Sequence, residues 1–163
     1  MKKYLFLLPV MLLASLSMYG QSTKFSDLVY FTSLTNQDVY NTLLQSNSFR
    51  QDYAIDVNGQ QIEYFKNITP KPNTEKIVVG NYTKLYNGTI LHTVDYTSTD
   101  PQHIINMISQ AKRYGLNMVF HGADESNNIY LFDNSFYQVS IYLRRDQTSG
   151  MVEIKQKEYL NLD

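Results

Sequence analysis

Two stretches of this 163-residue chain echo each other in order, and that echo limits the fold more than any other feature. Val29, Phe31, Thr32, Ser33, Val39, Asn41 and Leu43 recur 65 positions later as Val94, Tyr96, Thr97, Ser98, Ile104, Asn106 and Ile108. Phe49, Tyr53, Ile62, Phe65 and Asn67 match Leu116, Phe120, Ile129, Phe132 and Asn134 at an offset of 67. Ile77, Val79 and the turn Asn87-Gly88 match Val139, Ile141 and Ser149-Gly150 at an offset of 62. Small changes in loop length account for the drift. The order of matched elements carries the reading.

Local signals give each copy one plan. Asp100 is a natural helix N-cap and Pro101 stands where a missing N–H costs nothing. Ile104, Met107, Ile108 and Ala111 make a helical stripe, and Gly115 supplies the left-handed stop. Alternating strands follow around Met118, from Ile129 to Phe132, from Tyr137 to Leu143, and at Val152 and Ile154. Upstream, Thr35 with Asp38 marks a second capped helix bearing Val39, Tyr40, Leu43 and Leu44. Strands are expected at Phe49–Asp56, Gln60–Asn67, Glu75–Lys84 and Thr89–Tyr96. Asn58-Gly59 and Asn87-Gly88 supply hairpin turns, because both residue types tolerate positive φ. A short helix from Asp27 to Phe31 precedes this unit. The expected fold class is α+β, a tandem duplication of a helix followed by a four-stranded antiparallel sheet. The units are 21–98 and 99–163, together one compact domain.

The first twenty residues read as a secretory signal peptide. Lys2 and Lys3 precede an apolar run from Tyr4 to Leu13, and small residues follow at Ala14, Ser15, Ser17 and Gly20. The run is about half the ~20 residues a spanning helix needs. Cleavage after Ser17 or after Gly20 fits; the latter leaves Gln21 first. The chain is therefore expected to be exported, periplasmic or secreted, with no integral membrane segment after cleavage. Without Lys2 and Lys3, 12 basic residues face 15 acidic ones, a net −3. That mild balance gives no electrostatic reason to expect nucleic acid.

With no cysteine, thiol catalysis, thiolate metal sites and disulfides are excluded. His92, His103 and His121 form no local metal motif. His92 is expected on the inward side of its strand, and His103 in solvent beside a helix cap. His121 with Asp124 and Glu125 reads as a solvated turn. No nucleophile elbow, phosphate loop or dinucleotide fingerprint is present. No catalytic residue, cofactor or metal is expected.

The chain carries 14 Tyr and 8 Phe and no Trp. If Ile62, Tyr64, Ile129 and Leu131 point at the helices, alternation turns Glu63, Phe65, Tyr130 and Phe132 outward. The same logic turns out Tyr82, Phe136 and Tyr142 against inward Ile77, Val79, Val139 and Ile141. The candidate binding face is thus Phe65, Tyr82, Tyr130, Phe132, Phe136 and Tyr142. Such rings anchor interfaces and stack on sugars. The competing reading makes them ordinary core or cross-strand pairs.

The opening leader and the Gln21 start resemble the uncharacterised small exported proteins of Bacteroidota-type bacteria. The element order is similar to the duplicated layout of the β-lactamase-inhibitor-protein family and of PepSY-like domains. No motif is carried across, and the inhibitor family's two disulfides have no counterpart here. The function expected is an exported, non-catalytic binding or inhibitor-like module with a protein or glycan partner. A structural, envelope-associated role and a glycan-acting hydrolase are the alternatives.

Overall fold

The computed structural model describes residues 23–68 and 73–157. The expected leader and cleavage point, and residues 69–72 of a Pro-rich loop, lie outside them. The described elements are α1 (Phe25–Thr32), α2 (Asn36–Gln45), β1 (Phe49–Val57), β2 (Gln60–Asn67), β3 (Glu75–Lys84), β4 (Ile90–Ser98), α3 (Pro101–Arg113), β5 (Asn117–Ala123), β6 (Asn127–Asp133), β7 (Tyr137–Arg144) and β8 (Gly150–Gln156).

Caps place the helices. Asp27 accepts the Lys24 backbone N–H at 2.8 Å. Thr35 accepts from the Asp38 N–H at 3.2 Å, and Asp100 from the Gln102 N–H at 2.9 Å. Gly115, at φ +87°, ends the run behind α3. Asn58 and Gly59, at φ +55° and +80°, close the β1–β2 hairpin.

The strands form one antiparallel sheet of order β1-β2-β3-β4-β8-β7-β6-β5. The expected tandem duplication of a helix and a four-stranded sheet is therefore overturned: three helices cover one eight-stranded sheet. The reason lies in strand edges. Two separate meanders would leave β4 and β8 with unpaired backbone groups. Instead β4 and β8 pair antiparallel, with Val94 opposite Ile154 and Tyr96 opposite Val152.

The core sits on one side of this sheet. Phe25, Leu28, Val29 and Phe31 of α1, Val39 and Leu43 of α2, and Ile104, Met107 and Ala111 of α3 supply the helical half. Facing them are Phe49, Phe65, Ile77, Val79, Val94, Tyr96, Phe132, Val139, Ile141, Leu143, Val152 and Ile154. These strand residues all belong to one alternation phase. The other face carries no described helix.

Three β-bulges reset that phase. They fall between Gln51 and Tyr53, between Val78 and Asn81, and between Met118 and Phe120. Each extra residue sends the following side chain to the opposite face.

Candidate functional site

The helix-free face is organised in rows. One row takes a residue from every strand: Tyr53, Tyr64, Val78, Asp95, Glu153, Ser140, Leu131 and Phe120. Tyr53 and Phe120, at opposite edges, are 51% and 48% exposed. The Tyr53 and Tyr64 rings stack at 4.2 Å. The row is apolar at both wings and acidic in the middle. Burial, and then the charge of Glu153, push the Asp95 carboxyl up to about 6, with Lys155 opposing. Asp95 Oδ1 is buried, with no hydrogen-bond partner among the described residues. Glu153 pairs with Lys155 at 2.9 Å.

A second row runs beside the first: Arg50, Lys66, Lys76, Thr97, Met151, Tyr142, Ile129 and Gly122. Its middle opens into a groove of about 440 Å³ lined by Lys76, Thr97, Met151, Tyr142 and Arg144, with hydroxyls from Thr74, Thr99 and Ser149. Arg144 is held by Asp146, its Nη2 donating at 2.8 Å. The fork on Asp146, with the Thr148 hydroxyl, keeps that carboxyl well below its ordinary range.

The six expected face residues are scattered. Tyr142 stands on the open face, half-buried, in the groove wall. Phe136 is 53% exposed, in the turn between β6 and β7. Phe65 and Phe132 are corrections: both are fully buried in the core. Tyr130 also turns to the helix side, opposite Ile141, and packs on the core. Partners directly opposite in an antiparallel pair share a face. Phe65 lies opposite Ile77 and Phe132 opposite Val139, so both rings join the side that Ile77 and Val139 fix. The second strands thus run in the phase opposite to the one expected. Their residues on the helix-free side are Ile62, itself only 3% exposed, with Tyr64, Ile129 and Leu131.

Tyr82 is corrected for a different reason. The bulge at Gly80 flips it to the helix side, where its ring meets His92 edge-on at 6.3 Å. A glycine inside a strand pattern is the signal that marks such a bulge. His92 is on the inward side as expected, and burial lowers its pKa.

His103 corrects the expectation of a solvated side chain: it is 5% exposed. Its Nδ1 lies 3.1 Å from Ser98 Oγ and 3.7 Å from Glu75 Oε1, and its Nε2 lies 3.6 Å from Asp100 Oδ2. The Tyr96 hydroxyl donates to Glu75 Oε2 at 2.9 Å. Burial, and then the Glu75 charge, hold the Tyr96 phenol well above its ordinary range. Ser98, His103 and Asp100 are the residue types of a nucleophilic triad. Yet Ser98 is 2% exposed and its oxygen already accepts the Asp100 N–H at 3.0 Å. The cluster ties the start of α3 to the ends of β3 and β4. Tyr96→Phe should cost on the order of 1–2 kcal/mol, because the buried hydrogen bond from the Tyr96 hydroxyl to Glu75 Oε2 is lost. Urea unfolding measures this, and an unchanged midpoint would show the bond to be idle.

His121 is exposed and stacks on Tyr130 at 4.5 Å. Asp124 accepts the backbone N–H groups of Ser126 and Asn127, which lower its pKa and define a turn. Among the described residues, no group of three or more His, Asp or Glu is placed to hold a metal ion. No described helix is long and apolar enough to cross a membrane. Comparison of the chain with protein-family models, with curated proteins and with solved structures finds no match.

Proposed function

We propose that this protein is an exported, non-catalytic binding module of the inhibitor-like kind, working through the open face of its eight-stranded sheet. The observation that carries this reading is the edge-to-edge row from Tyr53 to Phe120. Its apolar wings lie on the face opposite the core. A sheet backed by three helices holds that surface rigid, and rigidity lowers the ordering cost of binding. Exposed aromatic rings such as Tyr53 and Phe120 on such a backing suit the anchoring of a partner. Export rests on the basic start and short apolar run of the leader.

The test is capture from a bacterial envelope extract by the immobilised chain. Wild type should bind saturably. Tyr53→Ser together with Leu131→Ser should reduce capture at least tenfold while far-UV dichroism and cooperative unfolding persist. Phe65→Ala serves as the contrast. It empties a fully buried core position and should cost about 3–5 kcal/mol. Absence of saturable capture, or capture that survives the double substitution, would overturn the reading.

A further inference from the structure

The second row of the open face contains an unfavourable arrangement that the fold does not explain. Arg50 lies directly opposite Lys66, and Lys66 directly opposite Lys76. Like charges directly opposite one another weaken a sheet pair. Among the described residues, none of the three has an acidic side chain within ion-pair distance. The parallel row beside them offers Tyr53, Tyr64 and Val78, and its acids, Asp95 and Glu153, stand beside Thr97 and Met151, beyond the three cations. One lysine in solvent needs no explanation. Three cations in register across three strands, in a chain whose net charge is −1, do.

We infer that this row is a binding track for a linear acidic polysaccharide laid across the strands. The inference rests on the open-face reading above and names its ligand class. Neighbouring strands are ~4.8 Å apart, so the cations repeat at that pitch. A linear polyuronate presents a continuous line of carboxylates to such a line of cations, its successive rings being turned about the chain axis. An extended acidic peptide carries the same charge but has no ring face to lay against Tyr142, so poly-glutamate separates the two ligands. Beyond Lys76 the track enters the groove of about 440 Å³. There the partly exposed Tyr142 lines the wall, where its ring is a platform for a sugar face, and Thr74 and Thr97 line the same groove. Arg144 is already neutralised by Asp146, so the charge reading stays with Arg50, Lys66 and Lys76. From Arg50 on β1 to Tyr142 on β7 the track crosses six strands, roughly 24 Å.

The probe is a galacturonate decamer, with a neutral galactan decamer and poly-glutamate as controls, followed by titration calorimetry at two salt concentrations. Wild type should bind the galacturonate decamer saturably, with affinity falling at least tenfold from 50 to 200 mM salt as counterion release predicts. Arg50→Gln, Lys66→Gln and Lys76→Gln combined should lose at least tenfold in affinity and much of the salt dependence. The thermal midpoint of that variant should stay level or rise, because a repulsion has been removed. Tyr142→Ala should weaken binding several-fold and leave the salt dependence in place. No saturable binding of the galacturonate decamer, equal binding of the neutral galactan, or tighter binding of poly-glutamate would each overturn the inference. Envelope capture that survives the triple substitution but fails in Tyr53→Ser with Leu131→Ser would overturn it too, and would leave the broader reading standing.

Discussion

Replacing Gly80 with alanine is expected to cost at least 3 kcal/mol, the largest single-residue loss outside the core. Two independent penalties add there. Gly80 adopts φ +100°, a region that residues bearing a Cβ rarely enter; such strain costs on the order of 1–3 kcal/mol. A Cβ at this position would also collide with the Gln61 carbonyl oxygen and lie 2.9 Å from Asn36 Nδ2. Those two groups are themselves bonded: Asn36 Nδ2 donates to Gln61 O at 2.8 Å, pinning the start of α2 to β2. The collision therefore strikes backbone and a helix anchor, neither of which yields cheaply. For a chain of this size 3 kcal/mol corresponds to a fall of roughly 6–12 °C in thermal midpoint. Gly59→Ala is the control, since its φ of +80° carries the strain while nothing lies within 4 Å of the added carbon. Scanning calorimetry of both variants decides the matter. Equal losses would mean that the collision contributes nothing.

That glycine also shows where sequence reasoning stopped. The elements themselves were legible, because their signals are local. Asp100-Pro101 and Gly115 bracket α3, and Asn58-Gly59 closes the first hairpin. The inward set Ile77, Val79, Val139 and Ile141 was legible as well, since its opposite phase is more polar. In β6, by contrast, Ile129 and Leu131 compete with Tyr130 and Phe132. Both phases are apolar, so alternation cannot choose. Register against β7 makes the choice by placing Phe132 opposite Val139. In β2 the losing pair, Ile62 and Tyr64, is the more apolar one. There Phe65 meets Ile77 and the edge of the Tyr40 ring, while Gln51 bonds the buried Glu63 at 3.3 Å.

Longer-range partners were out of reach for the same reason. His103 sits beside a helix cap, which suggests solvent, yet Glu75 and Tyr96 arrive from two other strands and enclose it. The union of β4 with β8 depends on residues near 94 meeting residues near 154, and nothing within either strand declares it. The sheet does have a side away from the helices, as alternation implies, but most of the rings expected there lie on the core side. Of the six named residues Tyr142 alone belongs to the two rows described above.

The middle of that face yields the second large effect. Asp95→Asn is expected to stabilise the protein at pH 7.5 by about 1–3 kcal/mol and to change little at pH 4. Val78 flanks Asp95 on one side and Glu153 on the other, with Lys155 one row away. Burial first, and then Glu153, raise its carboxyl from 3.8 to about 6 in the folded chain. Below pH 4 the folded and unfolded states both hold the proton. Between pH 4 and 6 the unfolded chain has released it while the folded chain keeps it. The unfolded state then binds fewer protons, so stability falls as pH rises through that window. Above pH 6 the loss is complete, with a ceiling of about 3 kcal/mol set by the gap between the two values. Asparagine keeps the shape and removes the ionisation, so its advantage must appear across the same window. Glu153→Gln supplies a second arm. Removing the neighbouring charge lets Asp95 ionise more easily, so the fall in stability should be smaller and should end at lower pH. Urea unfolding of the three proteins at half-unit steps from pH 4 to 8 reads all of this directly. A stability difference between Asp95→Asn and wild type that is flat with pH would show that Asp95 carries its charge at no cost, and that the acidic centre of the open face is solvated rather than strained.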